Sequence, residues 1–284
     1  MDELIDLPDI LLHRIVKLAL LEDLGQRGDI TSNALIKSDI KVQLNIVTRD
    51  SGVICGLRLV YLAFKLMDKN VEIDFFVNDG DKVEPQTIIG KIFGNARALL
   101  TAERTALNFL TLLSGISTQT RKFVDTIINY PTKITCTRKT IPNFRILQKY
   151  AVRCGGALNH RMNLSDAILI KDNHIAIAGD ISQSIIKAKK VAGHSTSIEI
   201  EVDNLEQLSE ALIEEIDLVL LDNMDLTMLK KAVSMCNGKA KTEASGGINL
   251  QNVKDVAQTG VDFIAVGALT HSFKSLDIGL DYFL

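Results

Sequence analysis

The sequence predicts an α/β protein whose larger part is an incomplete α/β barrel of about six to seven strands, preceded by a smaller α+β domain. Three observations carry this. Strand-like runs recur through the second half of the chain roughly every 20 residues, with helical patterns between them. Charged residues or glycines stand at or beside the C-terminal ends of those runs. The stretch before them follows a different, unrepeated pattern.

Residues 8–24 place Leu11, Leu12, Ile15, Val16, Ala19 and Leu20 at helical spacing, and Val42, Leu44 and Ile46 alternate as in a half-buried strand. Residues 71–77 read as another strand. The signal Asn78-Asp-Gly-Asp81 then marks a tight turn leading to Val83 and residues 87–89. A helix over 97–113 follows Gly94-Asn95 and bridges to the barrel, so residues 1–105 form the N-terminal domain and 106–274 the barrel. The barrel strands are read at 133–137, 167–170, 197–202, 217–221, 239–244 and 262–266. Six is fewer than the eight of a complete barrel, so an irregular barrel is the first choice and an open, doubly wound sheet the second.

Composition narrows the class. With 284 residues, 46% hydrophobic, and a formal net charge of -3, the chain is long enough for two globular domains and lacks the cationic balance of a nucleic-acid binder. No apolar run reaches membrane-spanning length, and the start, Met1-Asp-Glu-Leu-Ile-Asp6, has no basic leader; a cytoplasmic protein without a membrane partner is expected. Cys55, Cys136, Cys154 and Cys236 show no CxxC spacing, which points to small buried hydrophobes rather than a disulfide framework or a zinc site.

Against that acidic total, residues 137–174 hold seven Lys or Arg and two Asp. Arg138 and Lys139 close one strand and Lys171 another, so these cations sit at strand ends rather than along a solvated helix face. Glu201 and Asp222 end the next two strands. In a parallel barrel such ends share one mouth, which makes an anion site of the early strands. Ser245-Gly-Gly-Ile248 and Val266-Gly-Ala-Leu-Thr270 each follow a strand and read as opening a helix, the geometry that gathers backbone N–H groups on a phosphate. Glu201 and Asp222 suit sugar hydroxyls, or a Mg²⁺ holding phosphate oxygens, or an ordinary strand-end ion pair.

The motifs Thr137-Arg-Lys-Thr-Ile-Pro142, Lys149-Tyr-Ala-Val152, Gly155-Gly with Asn159-His-Arg161, Leu169-Ile-Lys-Asp-Asn-His174, Glu199-Ile-Glu-Val202, Leu221-Asp-Asn223, Ser245-Gly-Gly-Ile248 and Gly267-Ala-Leu-Thr-His-Ser272 resemble the quinolinate phosphoribosyltransferase family, also called nicotinate-nucleotide pyrophosphorylase (carboxylating). Leu21-Glu-Asp-Leu-Gly25, Gly28-Asp-Ile-Thr31, Glu103-Arg-Thr-Ala-Leu-Asn108 and Leu113-Ser-Gly-Ile116 extend the resemblance through the N-terminal part. Many ordered motifs are far more specific than one short pattern.

The resemblance implies a type II phosphoribosyltransferase fold, with the tail 275–284 packing on the first domain. It also implies joining quinolinate to phosphoribosyl pyrophosphate, with decarboxylation, to give nicotinate mononucleotide in NAD biosynthesis. Carried over, Arg138, Lys139, His160, Arg161 and Lys171 would bind quinolinate, with Thr140 also among the substrate-binding residues. Arg104 would reach in from a second copy of a homodimer or higher homo-oligomer. Glu201 and Asp222 would serve the ribose and the Mg²⁺-pyrophosphate region without a dedicated metal site, and Ser245, Gly246, Gly247, Val266, Gly267 and Ala268 the ribose 5-phosphate. Lys139, Lys171, Glu201 and Asp222 would be the catalytic set. His174, like His13, His194 and His271, reads as structural.

Ala157, Asn163, Asp203 and Ala265 depart from the family pattern without removing a charge; Ala157 requires only that its φ be negative. The rival readings are a nicotinate-salvage enzyme or a molybdenum-transport-associated relative on the same fold, and a non-catalytic phosphate-binding barrel. The number of cations disfavours a monocarboxylate, because each surplus buried charge carries a desolvation cost. Intact Glu201 and Asp222 disfavour the non-catalytic reading.

Overall fold

A computed structural model describes residues 7–282. The described chain divides into two compact units, the first holding residues 7–121, 150–156 and 273–282, the second 122–149 and 157–272.

The first unit opens with α1 (Asp9–Leu24), which buries Leu12, Val16 and Leu20 on an i, i+4 stripe. Next comes α2 (Ile30–Leu35), capped by Asp29, whose Oδ1 accepts the Ser32 N–H at 2.9 Å. Then follow β1 (Lys41–Thr48), β2 (Gly52–Val53), α3 (Leu57–Met67), β3 (Glu72–Phe75), β4 (Lys82–Val83), β5 (Ile88–Asn95) and α4 (Ala96–Thr126). The turn at 78–81 forms but does not join a hairpin. β3 pairs antiparallel with β5, from Glu72↔Phe93 to Phe75↔Gly90, while β4 pairs with β2. The reason lies in the turn's other bonds: Gly80 N–H donates to the Ile54 carbonyl at 2.8 Å, and Asp79 Oδ1 accepts the N–H groups of Gly56 and Leu57 at the start of α3. Long-range capping thus overrides the local pairing.

α4 has 31 residues, well beyond the expected end at Leu113. Gly115 does not stop it. A Cβ there would lie 2.4 Å from the Lys274 carbonyl oxygen, so the glycine serves a close backbone approach rather than a helix end. The division between units falls inside this helix, between Arg121 and Lys122.

All six strands read from the sequence of the second unit are present, most of them shorter: β6 (Lys133–Thr135), β7 (Ile168–Ile170), β8 (Ile198–Val202), β9 (Leu218–Asp222), β10 (Lys241–Ser245) and β11 (Phe263–Ala265). Between and after them run α5 (Arg145–Cys154), α6 (Asp172–Ala178), α7 (Ile181–Val191), α8 (Leu205–Ile213), α9 (Leu226–Cys236), α10 (Val253–Ala257) and α11 (Ala268–His271). Asp180, Asn204 and Asp225 cap α7, α8 and α9 by accepting the N–H three residues on. The strands are all parallel in the order β6-β11-β10-β9-β8-β7. Placing the first strand beside the last excludes the doubly wound alternative, in which the first strand is central. The sheet curls into a barrel with one seam, between β6 and β7. At that seam Leu158 takes a strand's place along β6, donating to the Ile134 carbonyl at 2.9 Å and accepting the Cys136 N–H.

The last strand, β12 (Ile278–Asp281), belongs to the first unit and pairs antiparallel with β1 from Asn45↔Asp281 to Thr48↔Ile278. The first unit's main sheet is therefore β12-β1-β5-β3.

Candidate active site

Because side chains alternate along a strand, every second barrel residue faces inward. On β8 these are Glu199 and Glu201, on β9 Leu220 and Asp222, on β10 Glu243 and Ser245. The register aligns them: Glu201 lies beside Leu220, and Ser245 beside Asp222. At the C-terminal end Glu201, Leu220, Asp222, Glu243 and Ser245 enclose a cleft of about 380 Å³, completed by Thr137, Arg138, Lys139, His160, Arg161, Leu169, Lys171 and Ala265. Of the residues singled out in the sequence, Arg138, Lys139, His160, Arg161, Lys171, Glu201, Asp222 and Ser245 therefore meet in one place.

The cations are arranged in two ways. Lys171 at the rim donates to Glu201 Oε2. Arg138 and Arg161 lie deeper, and the Nε of each is buried without a hydrogen-bond partner among the described residues. Arg161 donates through Nη1 to the Ala167 carbonyl at 3.0 Å. Burial, and after it the charge of Arg138, hold the Arg161 pKa below its usual value. Two guanidiniums with unused donors, each unfavourable to the other, make a site that an anion stabilises.

Beneath them lies a buried cluster. His160 Nε2 is 2.8 Å from Glu199 Oε2 and 3.8 Å from Glu243 Oε1. Burial, then the neighbouring Glu199, raise the Glu243 carboxyl to about 8, so at neutral pH it keeps its proton. For His160, burial works against the cation, but the hydrogen bond to Glu199 and the nearby Glu243 outweigh it and draw the pKa upward. The backbone decides the tautomer. Arg161 N–H donates to His160 Nδ1 at 2.8 Å, so Nδ1 is the lone-pair nitrogen and Nε2 carries the hydrogen donated to Glu199. Both ring nitrogens are thus engaged within the protein. A second cavity of about 360 Å³ shares His160, Arg161 and Glu243 with the cleft and continues toward Ser197, Leu218 and Phe263 at the opposite strand ends.

The other sequence-marked residues stand as follows. Thr140 Oγ1 accepts from Arg145 Nε at 2.9 Å, which places its hydroxyl in the loop's own bonding. Gly246 and Gly247 have φ of 97° and 61°, and a Cβ on Gly246 would meet Asn223 Oδ1 at 2.1 Å. The expectation that this glycine pair opens a helix is corrected: α10 starts only at Val253. Asn249 and Asn252 side chains donate to the Gly247 carbonyl and form a separate turn first. Gly267 does cap the short α11, and its backbone packs on the Lys139 side chain. The Val266 N–H is committed to the Thr135 carbonyl at 2.9 Å. Arg104 lines a different cavity, of about 250 Å³, with Asp23, Asp29 and Thr101 in the first unit. His174 Nδ1 accepts the Lys171 N–H at 2.9 Å, a structural role. Ala157 is not among the residues of positive φ; Gly156, with φ of 90°, takes the left-handed position of that turn.

Comparison with known proteins decides the family. The profile described as quinolinate phosphoribosyl transferase, N-terminal domain, matches residues 29–114, and that of the C-terminal domain matches 116–281. The chain belongs to the quinolinate phosphoribosyltransferase family. It is 41% identical over 270 residues to a probable nicotinate-nucleotide pyrophosphorylase [carboxylating] of Bacillus subtilis, covering 95% of this chain and 93% of that one. It is 39% identical over 287 residues to a mitochondrial quinolinate phosphoribosyltransferase [decarboxylating] of Nicotiana tabacum, covering 95% and 81%. The solved nicotinate-nucleotide pyrophosphorylase of Francisella tularensis superposes with a TM-score of 0.94 at 42% identity, over 99% of both chains. The resemblance read from the motifs is therefore borne out, and with it the type II phosphoribosyltransferase fold.

This quinolinate phosphoribosyltransferase site also draws on residues whose part was not read from the sequence. Glu199 and Glu243 are 4% and 2% exposed, and Lys149 is fully buried. A signal existed for the first two: each lies two residues before a marked strand-end position, so the same alternation turns it inward. Lys149, in a helix, offered none beyond its motif.

Proposed function

We propose that this chain transfers the phosphoribosyl group of phosphoribosyl pyrophosphate to quinolinate and releases CO₂, giving nicotinate mononucleotide and pyrophosphate in NAD biosynthesis. The observation that carries the reading is the pair Arg138 and Arg161, whose Nε atoms are buried and unpartnered among the described residues, in a cleft that also holds Lys139 and Lys171. A planar dicarboxylate matches guanidinium forks and the number of charges; a monocarboxylate leaves part of them unpaired in a site poor in water.

The chemistry follows from the chain's own groups. Breaking the bond from ribose C1 to pyrophosphate leaves positive charge on the sugar, which the carboxyls of Glu201 and Asp222 stabilise. The pyridine nitrogen then bonds to C1 and the ring becomes cationic. That ring accepts the electron pair of the carbon–carboxylate bond next to the nitrogen, CO₂ leaves, and a proton takes its place. Lys139 and Lys171 hold the anionic groups in line, and the turn of Ser245, Gly246 and Gly247 with Gly267 and Ala268 receives the 5-phosphate.

Glu201 and Asp222 fit Mg²⁺ as partners of pyrophosphate rather than as a complete cage, since the ion takes one or two carboxylates and substrate phosphates. Bound there, Mg²⁺ would neutralise the leaving pyrophosphate. Arg104 belongs to the same proposal: its Glu103-Arg-Thr-Ala-Leu-Asn108 motif assigns its guanidinium to the cleft of a second copy, in at least a homodimer. Mixing Arg104→Ala with Lys139→Ala chains should restore part of the activity; no recovery on subunit exchange would make each chain self-contained. No helix among the described residues is long and apolar enough to cross a membrane. The four cysteines are free and buried, which suits the reducing cytoplasm we assign.

The deciding assay supplies quinolinate, phosphoribosyl pyrophosphate and Mg²⁺ and follows CO₂ and mononucleotide. Both should appear, nicotinate should be a poor substitute, and quinolinate without the sugar donor should release no CO₂. A higher kcat/KM for nicotinate would replace this reading with the salvage alternative.

A further inference from the structure

We propose that Lys149 is a positioning residue for the substrate's carboxylates: its buried ammonium sets the backbone of His160 and Arg161 and so aims the Arg161 guanidinium into the cleft. The inference rests on the proposed function for the identity of the substrate. Lys149 lies on α5 with no exposed surface. Its Nζ donates to the His160 carbonyl at 2.6 Å and to the Arg161 carbonyl at 2.9 Å. These belong to the two peptide planes on either side of the Arg161 Cα. Fixing both fixes that residue's φ and ψ, and with them the direction of its side chain.

The rest of the loop is tied to the same point. The Cys136 thiol lies beside the Lys149 ammonium and donates to Asn159 Oδ1 at 3.4 Å. The Arg161 N–H is taken by His160 Nδ1, while His160 Nε2 is held by Glu199. Asn159, His160 and Arg161 are therefore each fastened from below, and the ammonium is the one group bonded to two of them.

Packing alone does not account for a lysine here. No carboxylate is within hydrogen-bond distance of its Nζ among the described contacts, and an ammonium withdrawn from water onto carbonyls costs more than an apolar side chain of equal length would. A charge retained at such a cost has to act on what it touches, and it touches the backbone of the loop that carries Arg161. This also explains why Lys149-Tyr-Ala-Val152 accompanies Asn159-His-Arg161 among the motifs, although α5 contributes nothing to the lining of the cleft.

The test compares wild type with Lys149→Met, which keeps length and loses the donors, and Lys149→Gln, which keeps two N–H donors on a shorter stem. Steady-state kinetics are measured with each substrate varied in turn, alongside thermal melting. Misaiming a binding group by about 1 Å costs on the order of 10²-fold, so KM for quinolinate should rise by about that factor in Lys149→Met and by less in Lys149→Gln. KM for phosphoribosyl pyrophosphate should change far less, while the melting temperature of Lys149→Met should fall, because two buried carbonyls lose their donor. Should Lys149→Met fail to fold, the Lys149→Gln split between the two KM values decides. An unchanged quinolinate KM, or equal rises for both substrates, overturns the positioning role. Wild type inactive on quinolinate would instead overturn the proposed function, so the two failures are separate.

Discussion

Lys171 and Glu201 meet at the rim of the cleft with 45% of the lysine side chain exposed, whereas His160, Glu199 and Glu243 meet at its floor with side chains 11%, 5% and 3% exposed. Both are pairings of opposite chemical type, yet they stand in different media. At the rim, water screens each charge, so a substrate phosphate or carboxylate can replace one partner at small cost. At the floor, where the side chains are nearly inaccessible, each group is held by another. The rim is therefore suited to exchange partners during turnover, and the floor to keep its geometry while that happens.

The largest effect expected from this contrast is on stability. Glu199→Ala removes the acceptor of His160 Nε2–H from a buried pair and should cost about 3–5 kcal/mol, read from denaturant midpoints. Lys171→Met breaks a partly exposed pair and should cost below about 1 kcal/mol while abolishing most activity. If the two variants were equally destabilised, the distinction between rim and floor would collapse.

A smaller effect separates charge from shape within the cleft. Arg161→Lys keeps the cation and loses the planar fork, and should weaken quinolinate binding by roughly 1–3 kcal/mol. Calorimetric titration should find phosphoribosyl pyrophosphate affected much less; equal weakening of both ligands would move Arg161 to the other half of the site.

A pH dependence tests the floor of the cleft from a different side. Glu243 has an ordinary value of 4.5 and is raised to about 8 in the fold, first by burial and then by Glu199. Between those values the folded protein holds a proton that the unfolded chain has lost. That contribution to stability is complete below the unfolded value and is lost as the pH rises through the folded one. Wild type should therefore lose melting temperature between about pH 5 and 8 more steeply than Glu243→Gln, which has no proton to lose. Parallel curves would show that Glu243 is ionised throughout.

Much of the molecule was legible from residue order. The six barrel strands could be read because each is a short apolar run bounded by a charged or glycine turn. Arg138, Lys139 and Lys171 stood out because they stand at strand ends in an acidic chain, whereas Arg145, Lys149 and Arg153 of the same run lie on α5. Less legible were features governed by distant partners. The turn at 78–81 looked local but is bonded to Ile54 and the start of α3, and α4 continues past Gly115 because that glycine faces Lys274.

The sequence by itself determined the class of fold, the mouth of the barrel and the sign of its ligand, because strand period, strand-end charge and turn chemistry are properties of neighbouring residues. The closing of the sheet with β6 beside β11, the seam occupied by Leu158, and the floor of Lys149, His160, Glu199 and Glu243 were decided only by the tertiary structure. Their partners lie 11 to 39 residues apart or more, as in Lys149 with His160 and His160 with Glu199. Burial then changes what each group is: a lysine bonded to carbonyls and a carboxyl that keeps its proton follow from exclusion of water, which depends on the whole packed barrel.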